Sequence, residues 1–222
     1  MQLQVLKADY EIILVSSGAI AAAHQFVEHQ IGAKIEVKQA LAAIGQLHLM
    51  RIFQEVCSDH NIPIAQCLLT YHDFNNEDAR TNIRNTIDTL LNFGYTPIIN
   101  ENDTVATDEI KFGDNDKLAA LTSILTESSL LVLATDLDGL YDQDPKTHES
   151  AQLIESVSNL EPLIANIKPS KSNLGSGGMK SKLESAMLAQ KAGIPTWILN
   201  GGHSNFLINA INAKSNFTKI EV

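Results

Sequence analysis

Along the 222 residues, short runs of apolar and β-branched residues alternate with longer stretches in which apolar positions recur every three or four residues. This is the pattern of strands that cross to parallel neighbours through helices, and it predicts an α/β fold. Strands are expected at Tyr10 to Val15, Ile62 to Thr70, Thr96 to Asn100, Leu130 to Thr135 and Ile194 to Leu199. Their apolar runs are nearly unbroken, so both faces of the sheet should be covered. Helices are expected over Val37 to Asp59, Glu77 to Phe93, Lys117 to Glu127 and Lys180 to Lys191, then a short helix at Phe206 to Ile211 and a strand near Phe217 to Val222. Gly94 and Gly193 stand where two of these helices would be C-capped, and Asp114 and Asn115 where a third would start. Asn159 to Gly178, rich in Ser, Asn, Gly and Pro, reads as a loop, and the opening LQVLKADYE as the last turns of a helix. No repeat or domain boundary is visible, so residues 1–222 are expected to form one domain.

Composition narrows the function. Hydrophobic residues at 44% and charged residues at 19% exclude a disordered chain or a coiled coil. A formal net charge of −10 argues against nucleic acid or an anionic membrane surface as partner. No apolar stretch reaches membrane-spanning length and the opening residues carry no export signal, so a cytoplasmic location is expected. Cys57 and Cys67 are too few for a disulfide framework and read as small core residues, with one bridge left open; Trp197 reads as core as well. The seven histidines show no metal-ligand spacing, and no protein metal centre is expected.

Parallel sheets bind ligands beyond the carboxyl ends of their strands, and the residues there are polar. The first strand runs into Ser16-Ser17-Gly18-Ala19, either a plain tight turn or small residues that let amides approach an anion. The strand TPIIN runs into Asn100-Glu101-Asn102-Asp103, and Gly113-Asp114-Asn115-Asp116-Lys117 follows. This amide and carboxylate cluster is either a solvated acidic loop or a site for an amino group or a metal-nucleotide complex. Thr135-Asp136 after the fourth strand is by itself a turn signal. Gly175-Ser-Gly-Gly-Met-Lys-Ser-Lys182 leads into a helix, and its missing Cβ atoms and two lysines suit a phosphate, the alternative being a flexible loop. Its spacing is neither that of a Walker loop nor G-x-G-x-x-G.

The runs Val15-Ser-Ser-Gly-Ala-Ile-Ala21, Lys38-Gln-Ala-Leu-Ala-Ala-Ile-Gly-Gln46, Pro97-Ile-Ile-Asn-Glu-Asn-Asp103, Glu109-Ile-Lys-Phe-Gly-Asp-Asn-Asp116 and Gly175 to Lys182 closely resemble the glutamate 5-kinases, of the amino-acid kinase family. The resemblance implies a three-layer αβα sandwich with a mainly parallel sheet. It also implies ATP-dependent phosphorylation of the L-glutamate side-chain carboxylate to glutamyl 5-phosphate, the first step of proline biosynthesis. It places substrate binding at Ser17, Gly18, Asn100, Asp103, Asp114 and Asn115, with Asp103 accepting the ammonium while Ser17 and Asn115 hold carboxylates. ATP would be bound by Thr135, Asp136, Ser176, Gly177, Gly178, Met179, Lys180, Ser181 and Lys182. Lys182 would sit on the transferred phosphoryl group, Asp116 would organise the catalytic lysines, and Mg²⁺ would be carried by ATP oxygens and water. Proline as a feedback ligand, a homo-oligomer and hand-over to glutamyl phosphate reductase are further implications. Relatives open on a strand with a Lys-x-Gly motif and often continue into a small RNA-binding-like domain. The chain as written shows neither, so an N-terminally incomplete kinase domain is expected, the alternative being a non-catalytic shortened paralogue that binds glutamate or proline beside a full-length subunit.

Overall fold

A computed structural model describes residues 2–27, 34–106, 115–166 and 178–222. The chain divides into two compact units, Leu3–Leu118 and Ala119–Val222, with Gln2 grouped with the second.

In the first unit, helix α1 (Gln2–Leu6) buries Leu3 and Leu6. Lys7 beyond it donates from Nζ to the Gly94 carbonyl at 3.0 Å and to Thr96 Oγ1 at 2.9 Å. There follow β1 (Leu14–Val15), α2 (Ala19–Ala23), α3 (Ile35–Ser58), β2 (Ile64–Leu69), a 3₁₀ turn (Asp73–Asn75), α4 (Glu77–Asn92) and β3 (Thr96–Glu101). The unit boundary falls within α5 (Asp116–Leu125). The sheet order is β1-β3-β2, parallel throughout, with β3 in the centre and buried at every position. Ile98 and Ile99 on β3 and Ile87 on α4 are among the most buried side chains, each contributing about 1.5–3 kcal/mol by leaving water. Helix α4 begins where Asn76 Oδ1 accepts the Ala79 N–H at 2.9 Å. It ends on a Schellman turn, with Gly94 at φ +78° and the Tyr95 N–H returning to the Leu90 carbonyl at 2.9 Å.

The second unit contains β4 (Leu131–Thr135), β5 (Leu140–Tyr141), β6 (Leu153–Ile154), β7 (Ser156–Val157), α6 (Glu161–Asn166), α7 (Met179–Lys191), β8 (Thr196–Asn200), α8 (Phe206–Ile211) and β9 (Thr218–Ile220). Its main sheet has the order β4-β8-β9-β7, with β4–β8 and β7–β9 parallel and β8–β9 antiparallel; β5 and β6 form a separate antiparallel pair. Leu131 and Leu133 of β4, Ile198 of β8 and Ile220 of β9 form one core with Leu183, Ala186 and Ala189 of α7. Trp197 packs at a tilt on Phe217, centroids 4.8 Å apart, as a core residue.

The architecture is therefore α/β with parallel-rich sheets. The first strand is shorter than its apolar run, because only Leu14 and Val15 find partners, at Ile98 and Ile99. The expected loop at Asn159 to Gly178 contains α6, whose start is marked by Asn159 Oδ1 accepting the Glu161 N–H at 3.1 Å; residues 167–177 of it lie outside the described residues. Strands β5, β6 and β7, two residues each, carry no pattern of their own and exist through their partners. Both cysteines are free thiols, and burial pushes each of them up in pKa.

Candidate functional site

In the first unit the site grows from the carboxyl ends of β1 and β3. The Ser16 N–H extends the ladder to the Ile99 carbonyl at 2.9 Å, and the chain then turns at Gly18, whose φ of +102° an L side chain rarely adopts. Helix α2 starts there with five residues, too short for a helix dipole to attract an anion strongly, so an anion at Ser17-Gly18 would rest on local donors. Ser17 is exposed. What fixes the turn is α3. A Cβ on Gly45 would lie 1.7 Å from the Ala19 carbonyl oxygen, so only glycine lets α3 pack this close against α2.

At the end of β3, Asn100 is 3% exposed and forms the middle of an amide chain. Its Oδ1 accepts the Glu101 N–H at 2.9 Å, and a backbone N–H can only donate, so the amide's orientation is determined. Asn100 Nδ2 then donates to Gln46 Oε1 at 2.7 Å, and Asn115 Nδ2 donates to Asn100 Oδ1 at 2.6 Å. Asn115 Nδ2 also donates to the Ser16 carbonyl, joining the ends of β1 and β3 to the start of α5. Both amide hydrogens of Asn115 are thereby used, and the atom it has left to offer is Oδ1, an acceptor. An acceptor of this kind suits an ammonium better than a carboxylate. Asp103 is partly buried and has no hydrogen-bond partner among the described residues; burial pushes its carboxyl above the usual range. A buried acceptor of this kind gains from an arriving cation. Gln39, two turns before Gln46 on α3, donates to the Thr104 carbonyl at 3.3 Å and braces the same loop. Asp116 opens α5, next to Lys117, whose Nζ lies 4.9 Å above the Tyr71 ring. Asp114 lies outside the described residues.

In the second unit the expected nucleotide residues lie at two places. Thr135 ends β4, and its Oγ1 donates to Asp136 Oδ1 at 3.2 Å. Lys146 Nζ stands 2.8 Å from Asp136 Oδ2, and this hydrogen bond holds the Asp136 carboxyl below its usual range. An anionic ligand there would meet a neutralised pair and not a bare carboxylate. The other place is the start of α7, where Gly178 precedes the helix without a side-chain cap. Its first turn carries Lys180 and Lys182 and no acidic residue. Two cations at the positive end of a helix would favour an arriving anion such as a phosphate. Lys180 is exposed, 3.8 Å from Glu184, while Lys182 is half-buried. Met179 packs on the core of the unit, and Ser181 donates its N–H to the Gly178 carbonyl at 3.0 Å. Ser176 and Gly177 lie outside the described residues.

Sequence reasoning includes Gly45 and Gln46 within a resembling run but gives them no role, and it passes over Lys146, ten residues after the carboxylate it meets.

Residues 1–200 match the profile of the amino acid kinase family. Among curated proteins, the chain is 42% identical over 210 residues to glutamate 5-kinase of Alkaliphilus metalliredigens, covering 94% of this chain and 80% of that protein. It is 46% identical over 190 residues to glutamate 5-kinase of Desulfotalea psychrophila, covering 84% and 50%, and 44% identical over 207 residues to that of Thermus thermophilus, covering 91% and 55%. The chain thus spans four fifths of the first relative and about half the length of the other two. Among solved structures, UMP kinase from Ureaplasma parvum superposes with a TM-score of 0.64 at 17% identity, covering 100% of this chain and 86% of that one. An isopentenyl phosphate kinase substrate complex gives 0.65 at 13%, covering 99% and 88%. At these identities the likeness is one of fold.

Proposed function

The chain belongs to the amino acid kinase family, alongside the glutamate 5-kinases it matches, and from that premise we propose that it transfers the γ-phosphoryl group of ATP to the side-chain carboxylate of L-glutamate. A carboxylate oxygen attacks the γ-phosphorus, the bond to the bridging oxygen of ADP breaks, and the products are glutamyl 5-phosphate and ADP. The observation that carries the choice of acceptor is a half-buried Asp103 with no hydrogen-bond partner among the described residues, together with an Asn115 amide turned to present its oxygen. Two acceptors suit the α-ammonium of an amino acid and have no counterpart in UMP or carbamate. Ser17 and the amides around Gly18 are then the donors for carboxylate, and Asn100 with Gln46 holds the constellation.

Phosphoryl transfer relies on positioning and charge neutralisation more than on covalent chemistry. Lys182 and the amides at the start of α7 supply positive charge to the phosphates, with Asp116 orienting the cationic groups. Mg²⁺ enters this reading as an ion held by ATP oxygens and water. Bound there, it would neutralise phosphate charge. Residues 1–222 are read as one amino-acid kinase domain acting at the start of proline biosynthesis. Enzyme names among relatives at 42–46% identity favour catalysis over a non-catalytic binder. The reading assigns the chain to the cytoplasm; no helix among the described residues is long and apolar enough to cross a membrane. L-proline as a feedback ligand and hand-over of the labile acyl phosphate to a reductase belong to the same reading. So does a homo-oligomer, supported by exposed Leu47, Ile52 and Val56 on α3. Coupled measurement of ADP release with L-glutamate, UMP and carbamate as acceptors tests the assignment: turnover is expected with L-glutamate, and preferred turnover of either other acceptor would overturn it.

A further inference from the structure

Strands β4 and β8 end side by side, Thr135 opposite Asn200, and the Gly201 N–H carries their ladder one step further to the Thr135 carbonyl at 2.9 Å. Beyond that point the side chains of Asn200 and His203 join the two loops. Asn200 Oδ1 accepts the Gly202 N–H at 2.9 Å, and because that N–H can only donate, the orientation of the amide follows. Asn200 Nδ2 therefore faces the β4 loop, where it donates to Asp138 Oδ1 at 3.0 Å and toward the Asp136 carbonyl at 3.4 Å. His203 Nε2 reaches the same Asp138 oxygen at 2.9 Å. An ionised carboxylate only accepts, so this nitrogen carries its proton. These bonds and the Lys146–Asp136 pair hold the turn that follows Thr135 from both sides.

We propose that Asn200 is a positioning residue for the nucleotide: through Asp138 and the Asp136 carbonyl it sets the Thr135–Asp136 turn, with His203 as a second donor to Asp138. The inference rests on the reading of Thr135 and Asp136 as ATP-binding. It adds to that reading a cross-strand brace formed by Asn200, Asp138 and His203. Hydrogen bonds to charged groups are stronger than neutral ones, and their loss costs order around the group they held. The more exposed His203–Asp138 contact, with side chains 64% and 46% exposed, contributes less than the Asn200 bonds.

The test is calorimetric titration of the full chain with MgATP and, separately, with L-glutamate, on Thr135→Ala, Asn200→Asp, the double variant Asp138→Asn/Asn200→Asp, and His203→Ala. N200D removes the donor and sets two carboxylates against each other, and the Kd for MgATP should rise about tenfold while the Kd for L-glutamate moves less than about twofold. The double variant restores the parent net charge and reverses donor and acceptor at the 138–200 bond but not at the Asp136 carbonyl, and it should recover part of the loss. A rescue of that kind would not follow from mere damage to the fold. If T135A leaves the MgATP Kd unchanged, the nucleotide reading of this turn falls, and the brace with it. If T135A weakens MgATP but N200D does not, or the double variant is no better than N200D, or glutamate affinity falls in step, the positioning role is overturned while the nucleotide reading stands. Should N200D fail to fold, H203A at its exposed position must by itself raise the MgATP Kd about twofold, and an unchanged value refutes the proposal.

Discussion

Replacing Gly45 by alanine tests the contact on which the acceptor side of the site hangs. An ideal Cβ at this position would lie 1.7 Å from Ala19 O, 2.7 Å from Ala19 C and 2.8 Å from Ala23 N. All three are backbone atoms of α2, so no side-chain rotation relieves the overlap. A carbon and a carbonyl oxygen come no closer than about 3.3 Å, which leaves α2 and α3 to separate by about 1.6 Å. Overpacking costs about 1–3 kcal/mol, and a clash of backbone on added carbon belongs at the upper end. For a chain of this length each kcal/mol corresponds to about 2–4 °C, so a loss of about 6–12 °C in Tm is expected. Helix α2 follows directly on Ser17-Gly18, so the KM for glutamate should rise more than the KM for ATP. Far-UV circular dichroism and steady-state kinetics measure the two effects. The sign is diagnostic, because without the close contact a mid-helix glycine changed to alanine gains about 1 kcal/mol from helix propensity. A raised or unchanged Tm with an unchanged KM for glutamate would refute the packing and the support it gives to the turn.

Asp103→Asn should raise the KM for glutamate by removing the charge opposite its ammonium, and it should also stabilise the unliganded protein at neutral pH. Since the folded-state pKa of Asp103 is raised, its ionisation costs stability as pH climbs through the window above 3.8; the gain in Tm from D103N should be present at pH 7 and gone below about pH 3.8, where the carboxyl is protonated folded and unfolded alike. Lys182→Ala should lower kcat on the order of a hundredfold, as for loss of one charge partner in the transition state, and a near-normal kcat would leave Lys182 outside the chemistry. Lys146→Ala should let the Asp136 carboxyl titrate upward toward 3.8, measured by NMR. With the pair intact, its small contribution to stability is present above 3.8 and lost as pH falls through the depressed value; no movement of the Asp136 titration would show that the ion pair does not form in solution.

The period of the apolar residues was sufficient for the elements that bury a continuous face. Strand Thr96–Glu101, helix Glu77–Asn92 and helix Phe206–Ile211 stand within a residue of where the pattern puts them, because burial and capping are local properties of those stretches. The motif runs likewise carried the family, since five separate stretches resemble the glutamate 5-kinases. The sequence could not show which atom a side chain presents. That Asn115 offers an oxygen follows from the Ser16 carbonyl and Asn100 taking both of its hydrogens, across ninety-nine and fifteen residues of chain. That Gly45 is required follows from the position of Ala19, and that Asn200 reaches the Thr135–Asp136 turn follows from the parallel pairing of β4 with β8. Periodicity reports the environment a residue needs, whereas hydrogen-bond polarity and close approach depend on partners distant in the chain, and only the folded arrangement brings those partners together.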